Sequence, residues 1–230
     1  MNRFNYKEAA SQFTVPVYKN PLACENDVAG FILEGQAKVD FPSGRMRLSS
    51  VLDPSLVQDA CYVYWCDKIF PSDVLIEWDF TPLAQTGLCI LFFSAANLNG
   101  GSVFDAKKRT GRYEQYNNGD INAFHVSYYR ENCIEKERLR TCNLRKSKGF
   151  HMAAQGGDPI PDLGRCQPPF RLSVLKRGPL VAFYVDGIHV LSYEDDGIRH
   201  GPLLGGGNIG FRQMSPMVSE YANLSVHTLP

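Results

Sequence analysis

The decapeptide INAFHVSYYR, residues 121–130, sets an imidazole, a hydroxyl and a phenol at alternate positions of what reads as a strand. With a period of two, Phe124, Val126 and Tyr128 fall on one face and His125, Ser127 and Tyr129 on the other. An imidazole titrates near neutrality and a phenol can carry a proton, so this face has the parts of a proton-transfer site. The same alternation runs through three further stretches. FHMAAQG puts Phe150, Met152 and Ala154 on an apolar face, with His151 and Gln155 opposite. TCNLRK turns Asn143 and Arg145 away from Cys142 and Leu144, and NIGFRQM turns Arg212 away from Ile209 and Phe211. If these strands share a sheet, His125, Tyr129, Arg145, His151, Gln155 and Arg212 line one surface, with Asn143 a further substrate-binding candidate. Arginine clamps a carboxylate through two parallel hydrogen bonds, and aromatic rings cover the apolar faces of sugar rings. The same set could eliminate across a glycosidic bond beside a uronate. His125 or His151 would be the base, Tyr129 the proton donor or partner, and arginine with glutamine would neutralise the enolate.

Two other motifs carry weaker chemistry. In VLIEWDF, Glu77 and Asp79 stand roughly 7 Å apart along one strand face, near the carboxylate spacing of glycosidases. Two carboxylates that close equally suit the holding of a neighbouring arginine. The Asn-Gly-Asp of YNNGDIN could serve a Ca2+ ion through oxygen ligands, although Asn-Gly is first of all a hairpin turn. Cofactors are otherwise not expected.

The whole chain bounds these readings. Its 230 residues suit one sandwich or barrel domain, and an apolar content of 44% with 21% charged residues is ordinary for a soluble globular protein. Basic and acidic residues number 24 each, which removes the global electrostatic case for nucleic acid or an anionic membrane. Locally the balance tips: residues 107–148 hold eleven basic and five acidic side chains. The excess fits either solvated loops or an anionic ligand such as a uronic acid, with the basic loop 107–112 assisting. The seven cysteines form no CxxC pair, no run approaches the ~20 apolar residues of a membrane span, and the first residues lack the apolar core of a signal peptide. Reduced thiols and a cytoplasmic location are the expectation.

Strand-like runs fall at 28–34, 37–41, 45–51, 61–66, 73–81, 87–95, 121–130, 140–146, 149–155, 170–176, 180–185, 188–193, 208–213 and 221–228. YVDGIHV sets Asp-Gly between two alternating runs, a strong hairpin signal. The best helix candidate, RENCIEKERLR, is brief. Many short strands without crossover helices predict an all-β, two-sheet antiparallel sandwich. The Gly-, Pro- and Asn-rich connections 96–119 and 156–169 are long enough to line a site.

In order along the chain, IEWDFTPL, GLCILFFSA, GDINAFHVSYYR, TCNLRKSKGFHMAAQGGDPIP and IGFRQM resemble the YesU-like family of small bacterial proteins. The C-terminal strands are more broadly similar to concanavalin A-like (laminin G-like) jelly rolls. The resemblance runs from about Pro42 to Leu229 and implies a concave sheet face that binds saccharides. It supplies no catalytic residues, and the chain departs from the E-x-D-x-x-E strand of laminarinase-like glycosidases, since Pro82 follows Glu77 and Asp79. Three functions follow as expectations. The first is an enzyme acting on uronate-containing oligosaccharides, a lyase before a hydrolase. The second is a lectin-like module that binds oligosaccharides in the same groove without turning them over, and the third is a structural or interaction sandwich whose polar residues only solvate it.

Overall fold

The computed structural model describes residues 5–105, 108–131, 139–165 and 167–230. Fifteen strands occur among them: β1 Val15–Asn20, β2 Ile32–Glu34, β3 Ala37–Asp40, β4 Met46–Ser50, β5 Tyr62–Trp65, β6 Val74–Pro82, β7 Gly87–Asn97, β8 Ile121–Glu131, β9 Thr141–Ser147, β10 His151–Gly157, β11 Phe170–Arg177, β12 Leu180–Val185, β13 Ile188–Glu194, β14 Asn208–Met214 and β15 Val218–Thr228. Sheet I runs β13-β12-β11-β6-β15-β4-β3, with β1 beside the second half of β15. Sheet II runs β10-β9-β8-β7-β14-β5-β2. Every pairing is antiparallel, as a chain of short strands and turns requires.

The alternation read from the sequence builds the core. Ile76, Trp78 and Phe80 of β6 meet Leu91, Phe93, Phe124, Val126 and Phe211 of sheet II between the sheets. Trp78 packs on Tyr128, Phe183 and Phe211 at ring separations of 5.9–6.5 Å. The Asp-Gly hairpin joins β12 to β13, with φ of 50° at Asp186 and 74° at Gly187. Both values are left-handed, which an Asp-Gly pair tolerates and a two-residue hairpin demands.

Some expectations are corrected here. The run at 28–34 is strand only over Ile32–Glu34, because Glu25–Val28 forms a 3-10 turn. β1 has no counterpart among the expected strands; Pro16 breaks its pattern, and a bulge follows between Pro16 and Tyr18. Two short helices occur among the described residues, α1 Tyr6–Ala10 and α2 Glu114–Asn117; Asn117 and Asn118 end the second, so Asn118-Gly119 is not a hairpin turn. The helix candidate RENCIEKERLR falls mostly on 132–138, outside the described residues. No disulfide forms among the described cysteines. Cys89 is enclosed in the core, and burial pushes its thiol up to about 12.

Candidate functional site

Cross-strand partners project to the same face of a sheet, so register decides which polar residues meet. Two rows cross sheet II. One is Trp65, Gly210, Phe92, His125, Arg145 and Met152. The next is Val63, Arg212, Ile90, Ser127, Asn143 and Gln155. Both point away from sheet I. Of the residues chosen from sequence, His125, Asn143, Arg145, Gln155 and Arg212 therefore share one outer face.

Part of that face is roofed by the long connection after β7. Val103 and Tyr116 pack on Val63, Trp65, Ile90, Phe92 and Ala123. A buried ionic knot pins this roof: Arg109 donates to both Glu34 oxygens at 2.7 and 3.0 Å, and Trp65 and Tyr116 donate to the same carboxylate at 2.9 and 2.8 Å. Two basic residues of the loop 107–112, expected to assist an anionic ligand, are thereby committed to the fold. Arg109 holds Glu34, and Arg112 pairs with Asp59 and Glu114. Gly111 lies so close to the β5 entry that a Cβ would sit 2.1 Å from the Cys61 carbonyl, and its φ is 95°. Only glycine fits there, and its carbonyl is thereby aimed at Arg212.

At the roof's edge stand the groups with chemistry. Tyr113 Oη lies 2.7 Å from His125 Nε2, while His125 Nδ1 has no hydrogen-bond partner among the described residues. His125 is 1% exposed. Burial, with Arg145 and Arg212 nearby, pushes its imidazole down to about 3, so it is neutral at pH 7. Burial raises the Tyr113 phenol against the opposing pull of Arg212, Arg145 and Arg130. Arg212 is fully buried. Its Nη2 donates to the Gly111 carbonyl at 3.1 Å and to Gln58 at 3.3 Å, its guanidinium carbon sits 4.9 Å from the Tyr113 ring centre, and Nε and Nη1 have no partner among the described residues. Further along the same row, beyond Ile90 and Ser127, Gln155 donates to Asn143 at 2.8 Å, and Arg130 Nη1 lies 3.0 Å from the Asn143 amide while donating to Thr141. Arg145 stacks on Phe150 at 3.7 Å, and Phe150 is 51% exposed. None of Arg130, Arg145 and Arg212 has a carboxylate within ion-pair distance among the described residues.

Four sequence candidates lie elsewhere. Tyr129 has a φ of 49°, which breaks the alternation and turns it into the core beside Tyr128; its ring packs 5.8 Å from Phe80, and Asp158 accepts its backbone N–H at 2.8 Å. A bulge between Met152 and Ala154 puts His151 out of phase with Gln155. His151 pairs with Lys146, on the inward side, and stacks on His200 at 4.7 Å, so the two histidines occupy opposite sheet faces. Glu77 and Asp79 belong to sheet I. There they flank Arg171 at 3.4 and 3.1 Å, the arginine-holding role. The phenol expected at Tyr129 is supplied instead by Tyr113, from the long connection flagged as site-lining. Among the described residues no cluster of three His, Cys, Asp or Glu side chains could hold a metal, and Asp120 faces Arg109 at 3.3 Å. No helix among them is long and apolar enough to cross a membrane.

Two antiparallel sheets with this order define a galectin-like, concanavalin-like jelly roll. The chain belongs to the family described as Domain of unknown function (DUF1961), whose model matches residues 15–226. It is 43% identical to the uncharacterized protein YesU of Bacillus subtilis (strain 168) over 224 residues, 96% of this chain and 97% of that one. A Bacillus subtilis crystal structure described as galectin-like superposes with a TM-score of 0.89 at 43% identity, covering 94% of this chain and 96% of that one. More distant likenesses of fold include the Emp47p carbohydrate recognition domain, with a TM-score of 0.60, 14% identity and coverage of 93% and 96%. Bacillus licheniformis beta-glucanase follows at 0.57, with 13% identity and coverage of 95% and 100%.

Proposed function

We propose that the outer face of sheet II binds an oligosaccharide carrying a carboxylate. One observation carries this reading: three guanidiniums on one face, Arg130, Arg145 and Arg212, without a carboxylate partner among the described residues. A buried charge is costly unless paired, so a site that keeps one is arranged for a charge that arrives with the ligand. Asn143, Gln155 and Ser127 add hydrogen-bonding groups of the kind that sugar hydroxyls need, and exposed Phe150 and Met152 offer apolar surface for a ring. The saccharide-binding and saccharide-cleaving names among the fold neighbours agree with this assignment. Free thiols and the absence of disulfides among the described residues are compatible with a cytoplasmic setting, which we propose with it.

A second reading, β-elimination, is favoured by the Tyr113–His125 hydrogen bond inside this arginine cluster. His125 is too enclosed to touch a sugar, so Tyr113 would be the reacting group. Its phenolate oxygen, accepting a hydrogen bond from Nε2–H of neutral His125, takes the proton from the carbon next to the carboxylate. The freed electron pair forms the C=C bond and expels the glycosidic oxygen, which takes up the proton that Tyr113 has just gained, so the phenolate is regenerated. Arg145 stabilises the enolate charge that builds on the carboxylate, and Arg212, enclosed beneath the Tyr113 ring, acts on it through its charge. Hydrolysis by a carboxylate pair loses its candidates, because Glu77 and Asp79 stand on the other sheet.

The test is calorimetric titration with uronate-bearing and matched neutral oligosaccharides, with ultraviolet absorbance followed for unsaturated products. Preference for the uronates, weakened by Arg145→Ala, is the expected result. Equal affinity for the two series would end the acidic-ligand reading. Binding without new absorbance would leave a lectin-like module.

A further inference from the structure

The face described above continues past Phe150. The Phe150 ring meets Tyr113 edge-on at 5.7 Å, and the Gly149 N–H donates to the Asn117 carbonyl at the end of α2. Beyond this contact opens a cavity of about 420 Å³, lined among others by Lys108, Gln115, Asn118, Asp120 and Lys148. Its wall contains the string that raised the question of calcium, but its charges are arranged otherwise. Asp120 is engaged by Arg109, whereas Lys108 and Lys148 are exposed and make no ion pair among the described residues. The eleven basic residues counted between 107 and 148 therefore do not form one patch. Some are tied into the fold, as Arg109, Arg112, Arg140 and Lys146 are. Those with no acidic partner among the described residues include Arg130, Arg145, Lys148 and Lys108: Arg130 stands at the end of β8, Arg145 on β9 and Lys148 just past it, and Lys108 faces Lys148 across the cavity from the connection after β7. From the Thr141 end of β9 to Lys148 is roughly 24 Å of extended strand.

We propose that the cavity is a second subsite on the same path, and that the ligand is an oligomer with recurring acidic residues that a single sugar cannot replace. This rests on the acidic-saccharide reading. The arginine face takes one carboxylate; Lys148 and Lys108 take another further along the chain. Phe150, half exposed between the two, is the platform on which the intervening ring lies.

The experiment titrates wild-type protein, a Lys108→Ala/Lys148→Ala variant and a Lys7→Ala/Lys19→Ala control with galacturonate monomer, trimer and hexamer. All four lysines are exposed, so folding is not at stake. The expected result is an affinity that rises with length in the wild type, a loss of about tenfold for the hexamer in the cavity variant, and no loss for the monomer. The control should keep hexamer affinity within about twofold. An undiminished hexamer affinity, or an equal loss for monomer and hexamer, overturns the second subsite while the arginine face stands. A wild type that ignores uronates of every length overturns both.

Discussion

The outer faces of the two sheets carry similar side chains and use them in opposite ways. On sheet I, Arg171 lies between Glu77 and Asp79, donates to the Asn223 carbonyl and to Ser225, and has its charge answered from two sides. Tyr6 closes over Glu77 from the N-terminal helix Tyr6–Ala10. On sheet II, Arg212 is more deeply buried, yet among the described residues it is met only by a carbonyl, an amide and an aromatic ring. A satisfied network holds a fold together. A buried cation left without its counter-charge is poised for something else, and that contrast separates the structural face from the candidate site.

Substituting the two arginines tests the contrast most strongly. Arg212→Met should cost about 2 kcal/mol of uronate binding through the lost charge beneath the Tyr113 ring, while leaving stability to denaturant level or higher, because a buried unpaired charge is replaced by a side chain of similar length. Arg171→Met should do the reverse, lowering stability by about 1 kcal/mol in this part-exposed network and sparing affinity. Urea midpoints measured beside titrations decide the matter; a marked loss of stability in Arg212→Met would show the contrast to be misread.

Acid should affect the two faces unequally. His125 is held near 3 when folded, against about 6.5 for an unfolded histidine. Between those values the unfolded chain binds a proton that the folded chain refuses, so stability is intact above pH 6.5 and falls as pH drops. By pH 4 the contribution is about 3 kcal/mol. The His125→Asn variant should lose correspondingly less stability between pH 7 and pH 4 than the wild type. Identical pH profiles would place the titrating burden elsewhere.

The smallest effects are expected where the sequence reading placed functional groups and the structure places packing. His151→Asn and Tyr129→Phe should change uronate affinity by less than about 0.5 kcal/mol, since neither side chain reaches the outer face of sheet II. A tenfold loss in either would mean that the face extends further than its register indicates.

Strand periodicity alone was enough to anticipate the sandwich, the Asp186-Gly187 hairpin and the shared face of His125, Asn143, Arg145, Gln155 and Arg212. Period two is a local property, and it survives wherever a strand runs without interruption. It fails at single irregular residues. A left-handed φ at Tyr129 and a bulge after Met152 each shift the phase by one, and one step moves a side chain through the sheet. No local pattern marks those positions. Nor does sequence state which strand joins which sheet, so Glu77 and Asp79 looked as available as Arg212 until β6 was found in sheet I. Tyr113 and Gln58 were beyond reach for a different reason: they lie outside the strands, and connecting segments lack the periodicity that would aim them. The chain's own alternation thus determined the layers and most of the polar face. Tertiary structure decided which charges were answered, because pairing depends on neighbours distant in sequence and brought together only by the closed sandwich.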